Sequence, residues 1–230
     1  MRFKTLLAIA ALLIAPVTQA AYVTIDEVGM DAVFSQASFG NRKIDIRIGG
    51  VTQLVRPDLL AIDTDAEIDA IFDLHLGSQR VVNFYFVDTI SACGGFNVNI
   101  IGCGELPGQD FVVESVWAAD NTIPFGGNIS FGVQLLAHEL GHNLNLDHRN
   151  GNFLMNPSIN GFLGLNAAEV ATIFASPLVQ RDASGFFILI NPILIIAAAT
   201  EVPEPSTVLL VLLGLVAVGS RSRARRSTAV

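Results

Sequence analysis

His138, Glu139 and His142 fall in the run Ala137-His138-Glu139-Leu140-Gly141-His142, and His148 follows six residues later. The chain has four histidines, and three of them lie within eleven residues. Residues four apart on a helix are separated by about 40° around its axis, so His138 and His142 would project from one face toward one point. Two such imidazoles and a third from nearby are the ligand set of a catalytic zinc, whose fourth position stays open for water or substrate. His138, His142 and His148 are therefore the expected metal ligands, with one Zn2+ as cofactor. Glu139 sits beside the first ligand, where a carboxylate takes the proton of an activated water, and is the expected catalytic base. The competing reading is three histidines scattered on a surface helix and loop.

A helix must carry the first two ligands, and something must turn the chain back to deliver the third. Residues 128–144 have Phe131, Val133, Leu135, Leu136 and Leu140 at positions that would bury a helix against a sheet. Upstream, residues 43–48 alternate with period two and end at Gly49-Gly50, as a half-buried strand does. Residues 80–90 are rich in β-branched and aromatic side chains and read as a central strand, and residues 110–118 read as another. Thr64-Asp65-Ala66-Glu67 is a capping box opening a helix to about residue 76, which takes in His75 as an ordinary helix residue. The acids Asp63, Asp65, Glu67, Asp69 and Asp73 fit helix first-turn positions better than a calcium loop, which needs a glycine at its sharp turn. Calcium has no other support. Asn166-Ala167-Ala168-Glu169 opens a last helix, to about residue 179. Strands first, then the histidine helix, then a C-terminal helix give an α+β domain. Residues 186–199 are almost wholly apolar but broken by Asn191-Pro192, and fit either a late hairpin or a membrane-proximal segment.

Both ends of the chain read as processing signals. Arg2 and Lys4 precede an apolar run and then Thr18-Gln19-Ala20, so residues 1–20 read as a secretory signal peptide. At the other end, Pro203-Glu204-Pro205 leads into the apolar residues 208–219 and a tail holding Arg221, Arg223, Arg225 and Arg226. Residues 201–230 resemble the PEP-CTERM sorting signal of Gram-negative bacteria. The resemblance implies an exosortase-type processing enzyme as partner, transient inner-membrane association through the tail, and a secreted or cell-surface destination. A permanent single-span anchor is the other reading, although the apolar run is short of the ~20 residues a span needs. The domain between the signals, residues 21–200, has a strongly negative balance. Residues 21–207 hold all 21 acidic residues but only seven of the 13 basic ones, which argues against a nucleic-acid partner. Cys93 and Cys103 are the only cysteines, and in an exported protein such a pair reads as a disulfide. The alternative has Cys93 capping the metal in a latent form.

The stretch from His138 to His148, with Met155 in Asn152-Phe153-Leu154-Met155-Asn156-Pro157, resembles the metzincin clan of zinc endopeptidases. The resemblance implies a zincin domain with a twisted mixed β-sheet, an active-site helix and a C-terminal helix. It also implies a methionine turn at Met155 beneath the metal and an extended protein or peptide substrate on an edge strand, sought between residues 103 and 117. One position departs from the pattern: Asn145 stands where the family has glycine. The turn there needs a left-handed backbone, which asparagine tolerates best after glycine. Pro157 stands where some members carry a tyrosine ligand, so no fourth protein ligand is implied. The function this points to is a secreted zinc-dependent endopeptidase. Its rivals are a non-catalytic matrix or adhesion protein on the same zinc scaffold, and a zinc amidase acting on cell-wall peptides.

Overall fold

The structure is a computed structural model that describes residues 25–124 and 127–198. The signals expected at 1–20 and 201–230 lie outside the described residues. Along the chain run α1 (Glu27–Phe34), β1 (Ile44–Ile48), β2 (Thr52–Val55), β3 (Ala61–Ile62), α2 (Asp65–Phe72), β4 (Val81–Val87), β5 (Thr89–Ile90), β6 (Gly102–Gly104) and β7 (Asp110–Glu114). They are followed by α3 (Ser115–Ala118), α4 (Phe131–Asn143), α5 (Ala167–Ala175), β8 (Gln180–Arg181) and β9 (Phe186–Ile196). The fold is mixed α+β, as the order of patterns implied. Its main sheet has the order β1-β9-β4-β7-β6, with β2 and β8 also paired to β9. β1, β2 and β4 run parallel to β9, β7 runs parallel to β4, and β6 closes one edge antiparallel to β7.

Alternating side chains divide the core between the two faces of the sheet. Ile44, Ile46, Phe84, Phe86, Phe111, Val113, Ile188 and Ile190 pack with buried residues of α1, α4 and α5. Tyr85, Val87, Val112, Ile193 and Ile195 pack on the other face with Ile68 and Ile71 of α2. The expected capping boxes at Thr64/Glu67 and Asn166/Glu169 are both formed. The acids near α2 are engaged locally: Glu67 accepts from the Asp63 and Thr64 amides, and Asp65 from the Gly95 amide. Sequence reading missed α1, which Asp26 caps by accepting from the Gly29 amide, and also β2.

Several expected boundaries are corrected. The strand expected over 110–118 stops at Glu114 and continues as the short helix α3. The segment 80–90 divides at Asp88 into β4 and β5. α5 ends at Ala175, ahead of Pro177, which removes a helical N–H. α2 ends at Phe72, so His75 lies in the turn beyond it rather than on a helix.

The larger correction concerns residues 186–199. Apart from a two-residue antiparallel pairing with β8, residues 186–196 form no hairpin but one long strand in the middle of the sheet. Because parallel strands are covered on both faces, such a strand reads as an unbroken apolar run, not an alternation. Pro192 is tolerated by a gap in its neighbours. The Ile190 carbonyl accepts from Gly49, so that side of β9 faces β1. Two residues on, the missing N–H of Pro192 would point the same way. There β1 has ended opposite Ile190 and β2 begins only opposite Ile193. The chain's last described strand is thus an interior one, so the helices do not come last.

One polar row crosses this apolar sheet. Asn83 is in register with both Asn191 and Asp110. The Asn191 amide donates to Asn83 Oδ1 at 3.0 Å, the Asn83 amide donates to Asp110 Oδ1 at 2.7 Å, and His75 Nδ1 lies 2.9 Å from Asp110 Oδ2. Burial pushes the Asp110 carboxyl above its usual pKa, against hydrogen bonds from Asn83 and His75 that favour its charge. A buried polar group stripped of its partner costs about 1–3 kcal/mol. Replacing Asn83 by Leu should therefore lower the urea unfolding free energy by about that amount, and an unchanged midpoint would show the row to be energetically idle.

Candidate metal centre

α4 is capped by Ser130, whose hydroxyl accepts from the Val133 amide. It runs through the interior with His138, Glu139, His142 and Asn143 all buried. Gly132 lets it cross α3, because a Cβ there would strike the Ala118 carbonyl. The helix stops in a Schellman motif: Leu146 N–H donates to the Gly141 carbonyl at 2.9 Å, and Asn145 N–H to that of His142 at 2.8 Å. Asn145 holds φ 67°, and among the described residues it alone is left-handed without being glycine. The turn expected at this position is therefore present, with asparagine in the strained place. It sends the chain back across the end of α4 and delivers His148.

The three expected ligands come together. His148 Nε2 lies 3.3 Å from His138 Nε2 and 3.2 Å from His142 Nε2. A tetrahedron around an ion with bonds of about 2.0–2.1 Å has edges of about 3.3–3.4 Å, so these spacings fit a shared cation. The remaining nitrogens are engaged: His138 Nδ1 faces the Leu154 carbonyl at 2.9 Å, and His142 Nδ1 faces the Leu146 carbonyl at 2.8 Å. Those carbonyls require N–H at Nδ1, which leaves the Nε2 lone pairs converging. Burial pushes the His138 pKa down to about 4 and that of His142 also downward, which keeps both imidazoles neutral and able to ligate.

Met155 is fully buried below this cluster, and a Cβ on Gly141 would strike its sulfur. Its carbonyl accepts from the Arg149 amide at 2.8 Å, joining the Met155 segment to the His148 loop. Arg149 also lies 3.5 Å over the Phe153 ring and reaches Glu169 of α5. The loop bearing His148 is thus held from two sides.

Glu139 packs against the edge strand β6. A Cβ at Gly102 would strike the Glu139 carboxylate, and one at Gly104 would press on the Glu139 backbone and His142. These two glycines were not singled out from sequence, although Gly102-Cys103-Gly104 within a strand is a visible signal of close backbone approach. Between them Cys103 is bonded to Cys93, as expected, which removes Cys93 as a cap on the metal. β6 overlaps the start of the region, residues 103–117, where an edge strand was sought. Asn143 ties α4 to the neighbouring backbone, its amide donating to the carbonyls of Glu105 and Asp110. The cleft over the histidines is about 610 Å³ and is lined by Ile101, Phe131, Leu135, Pro157 and Ile159 as well as the site residues.

Burial pushes the Glu139 carboxyl up to about pKa 8. The positive charge of an ion on the adjacent imidazoles would oppose that shift.

Residues 201–226 match the PEP-CTERM protein-sorting motif. The motif implies recognition by an exosortase-type processing enzyme and marks an exported protein processed at its C-terminus. No curated protein and no solved structure matches the chain.

Two measurements check this geometry. Asn145→Ala should cost about 1–2 kcal/mol in urea unfolding, while Asn145→Gly should cost nothing, because only the first puts a Cβ without a local hydrogen-bonding group in the left-handed region. In metal-free protein, Glu139 keeps its proton when folded and loses it when unfolded. Stability should therefore fall with rising pH, by about 1 kcal/mol between pH 7 and 8. Glu139→Gln, with no proton to lose, should abolish that slope; a slope equal to wild type would assign it elsewhere.

Proposed function

We propose that the protein is an exported zinc-dependent endopeptidase of metzincin type, acting at the cell envelope or in the extracellular matrix. The observation that carries this reading is the convergence of the His138, His142 and His148 Nε2 atoms beside the buried Glu139, at the base of a cleft bordered by an antiparallel edge strand. The histidine spacing, the left-handed Asn145 and the buried Met155 support the metzincin resemblance.

These three histidines would hold the ion, and the carbonyls of Leu154 and Leu146 orient two of them. When bound, zinc supplies Lewis acidity, lowering the pKa of water toward ~7 and polarising a peptide carbonyl. Glu139 accepts the proton of the attacking water and delivers it to the departing amine. Burial raises the proton affinity of this carboxyl, and the charge of a bound ion would lower it again, favouring the ionised form that can accept the proton. β6 offers backbone hydrogen bonds to an extended peptide, and the Cys93–Cys103 disulfide keeps that strand in place. The apolar side chains lining the cleft favour a protein or peptide with an apolar residue next to the scissile bond.

A carboxylate beside the ligands has no use in a purely structural zinc site, and this favours catalysis over a matrix or adhesion scaffold. The test is digestion of denatured casein by purified protein, with and without chelator. Wild type should cleave in a chelator-sensitive way, and Glu139→Gln should retain one zinc per chain while losing activity by at least 100-fold, the scale of general-base catalysis at ~10²–10⁴. Cleavage confined to peptidoglycan fragments would assign a cell-wall amidase, and zinc binding without any hydrolysis would assign the scaffold.

A further inference from the structure

We infer that the end of the domain where β9 leaves the sheet rests on a lipid bilayer while the sorting tail is attached. β9 ends at Ile196 and the sorting motif begins at residue 201. The five steps between them span at most about 18 Å at ~3.6 Å per residue. The apolar residues 208–219 begin twelve steps beyond Ile196, at most about 43 Å at ~3.6 Å per residue, so this is the end of the sheet that the tail keeps nearest to whatever holds it.

The registers define which residues share that end. Val55 pairs with Ile196, Phe86 with Leu194, and Val87 with Glu114, so the parallel strands β2, β9, β4 and β7 finish together. The segments emerging there carry an unusual apolar surface. Val116 and Trp117 follow β7 directly and are 65% and 39% exposed, with Ile123 beyond them. Phe96 and Val98, 75% and 68% exposed, sit on the loop between β5 and β6, both ends of which meet the sheet here. Val55 is exposed at the tip of β2. These six account for most of the large apolar side chains exposed among the described residues; Val28, Val51 and Leu106 lie elsewhere.

An exposed patch of this kind on one end marks a surface that something covers. A bilayer is favoured because the tether leads from the same edge. The contact is interfacial, since among the described residues no helix is long and apolar enough to cross a membrane. It is also apolar rather than electrostatic: Asp63 and Asp88 are exposed near the patch, and the domain as a whole is acidic, so anionic lipid is not the attraction.

Trp117 is the only tryptophan in the chain and reports on this face directly. The full chain is reconstituted in phosphatidylcholine vesicles, with and without lipid brominated near the headgroup end of its acyl chains. Bromolipid should reduce Trp117 emission at least twofold, and raising salt should not restore it. In the variant Trp117→Phe with Phe187→Trp, the reporter sits nine residues back along β9, about 30 Å away at ~3.3 Å per residue, and should not be quenched. Phe96→Ser with Val98→Ser, both on an exposed loop, should cut Trp117 quenching by half or more with the far-UV spectrum unchanged. Unquenched Trp117, or equal quenching at both reporter positions, overturns the inference. So does a patch whose substitution impairs binding of a protein substrate while Trp117 stays unquenched, because the surface then serves a protein.

Discussion

The end of α4 is the constraint on which the site depends. Two of the three clustered histidines sit on one helix face, but a helix cannot place a third beside them without stopping. The chain stops at Leu144, turns through the left-handed Asn145, and satisfies the last helical carbonyls with the Leu146 and Asn145 amides. The same turn places the Leu146 carbonyl on His142 Nδ1, so the device that ends the helix also orients a ligand. The segment Leu154-Met155 repeats this economy: the carbonyl of Leu154 orients His138, and that of Met155 fixes the start of the loop after His148.

Around this turn the sheet and helix approach more closely than side chains would permit. Glycine on either side of Cys103 leaves bare backbone for the Glu139 carboxylate to lie against. The approach buries that carboxyl, and burial raises its proton affinity toward neutral pH. Packing and acid–base character are here one fact. The disulfide then ties the same strand to the loop beyond β5, so the bare edge is held by a covalent bond where it lacks side chains to anchor it.

The sheet reaches its final order only with the last part of the domain. β9 pairs with β1, β2, β4 and β8, and Asn191 joins the polar row through Asn83 to Asp110. Asp110 in turn offers its carbonyl to Asn143, the residue after His142, so a hydrogen-bonded path runs from the closing strand to the histidine helix α4. A polar row within an apolar sheet specifies register, since a slip of one residue would leave Asn83 and Asp110 without partners. Only a few residues then separate this interior strand from the sorting motif.

Local chemistry made much of this legible in the sequence. Capping boxes, the cysteine pair and the asparagine at a left-handed position each act over a few residues and are found as read, and the spaced histidines do converge. The bipartite Pro-Glu-Pro and arginine tail is likewise a linear signal. What tertiary structure alone decided is where distant segments meet. An apolar run such as 186–196 has no periodicity to reveal its neighbours, because a strand covered on both faces needs none. Its place between β1 and β4, the use of Gly102 and Gly104 as a seat for Glu139, and the pairing of His75 with Asp110 all join residues far apart in the chain. Such contacts are chosen by the packing of whole layers, and no local pattern encodes them.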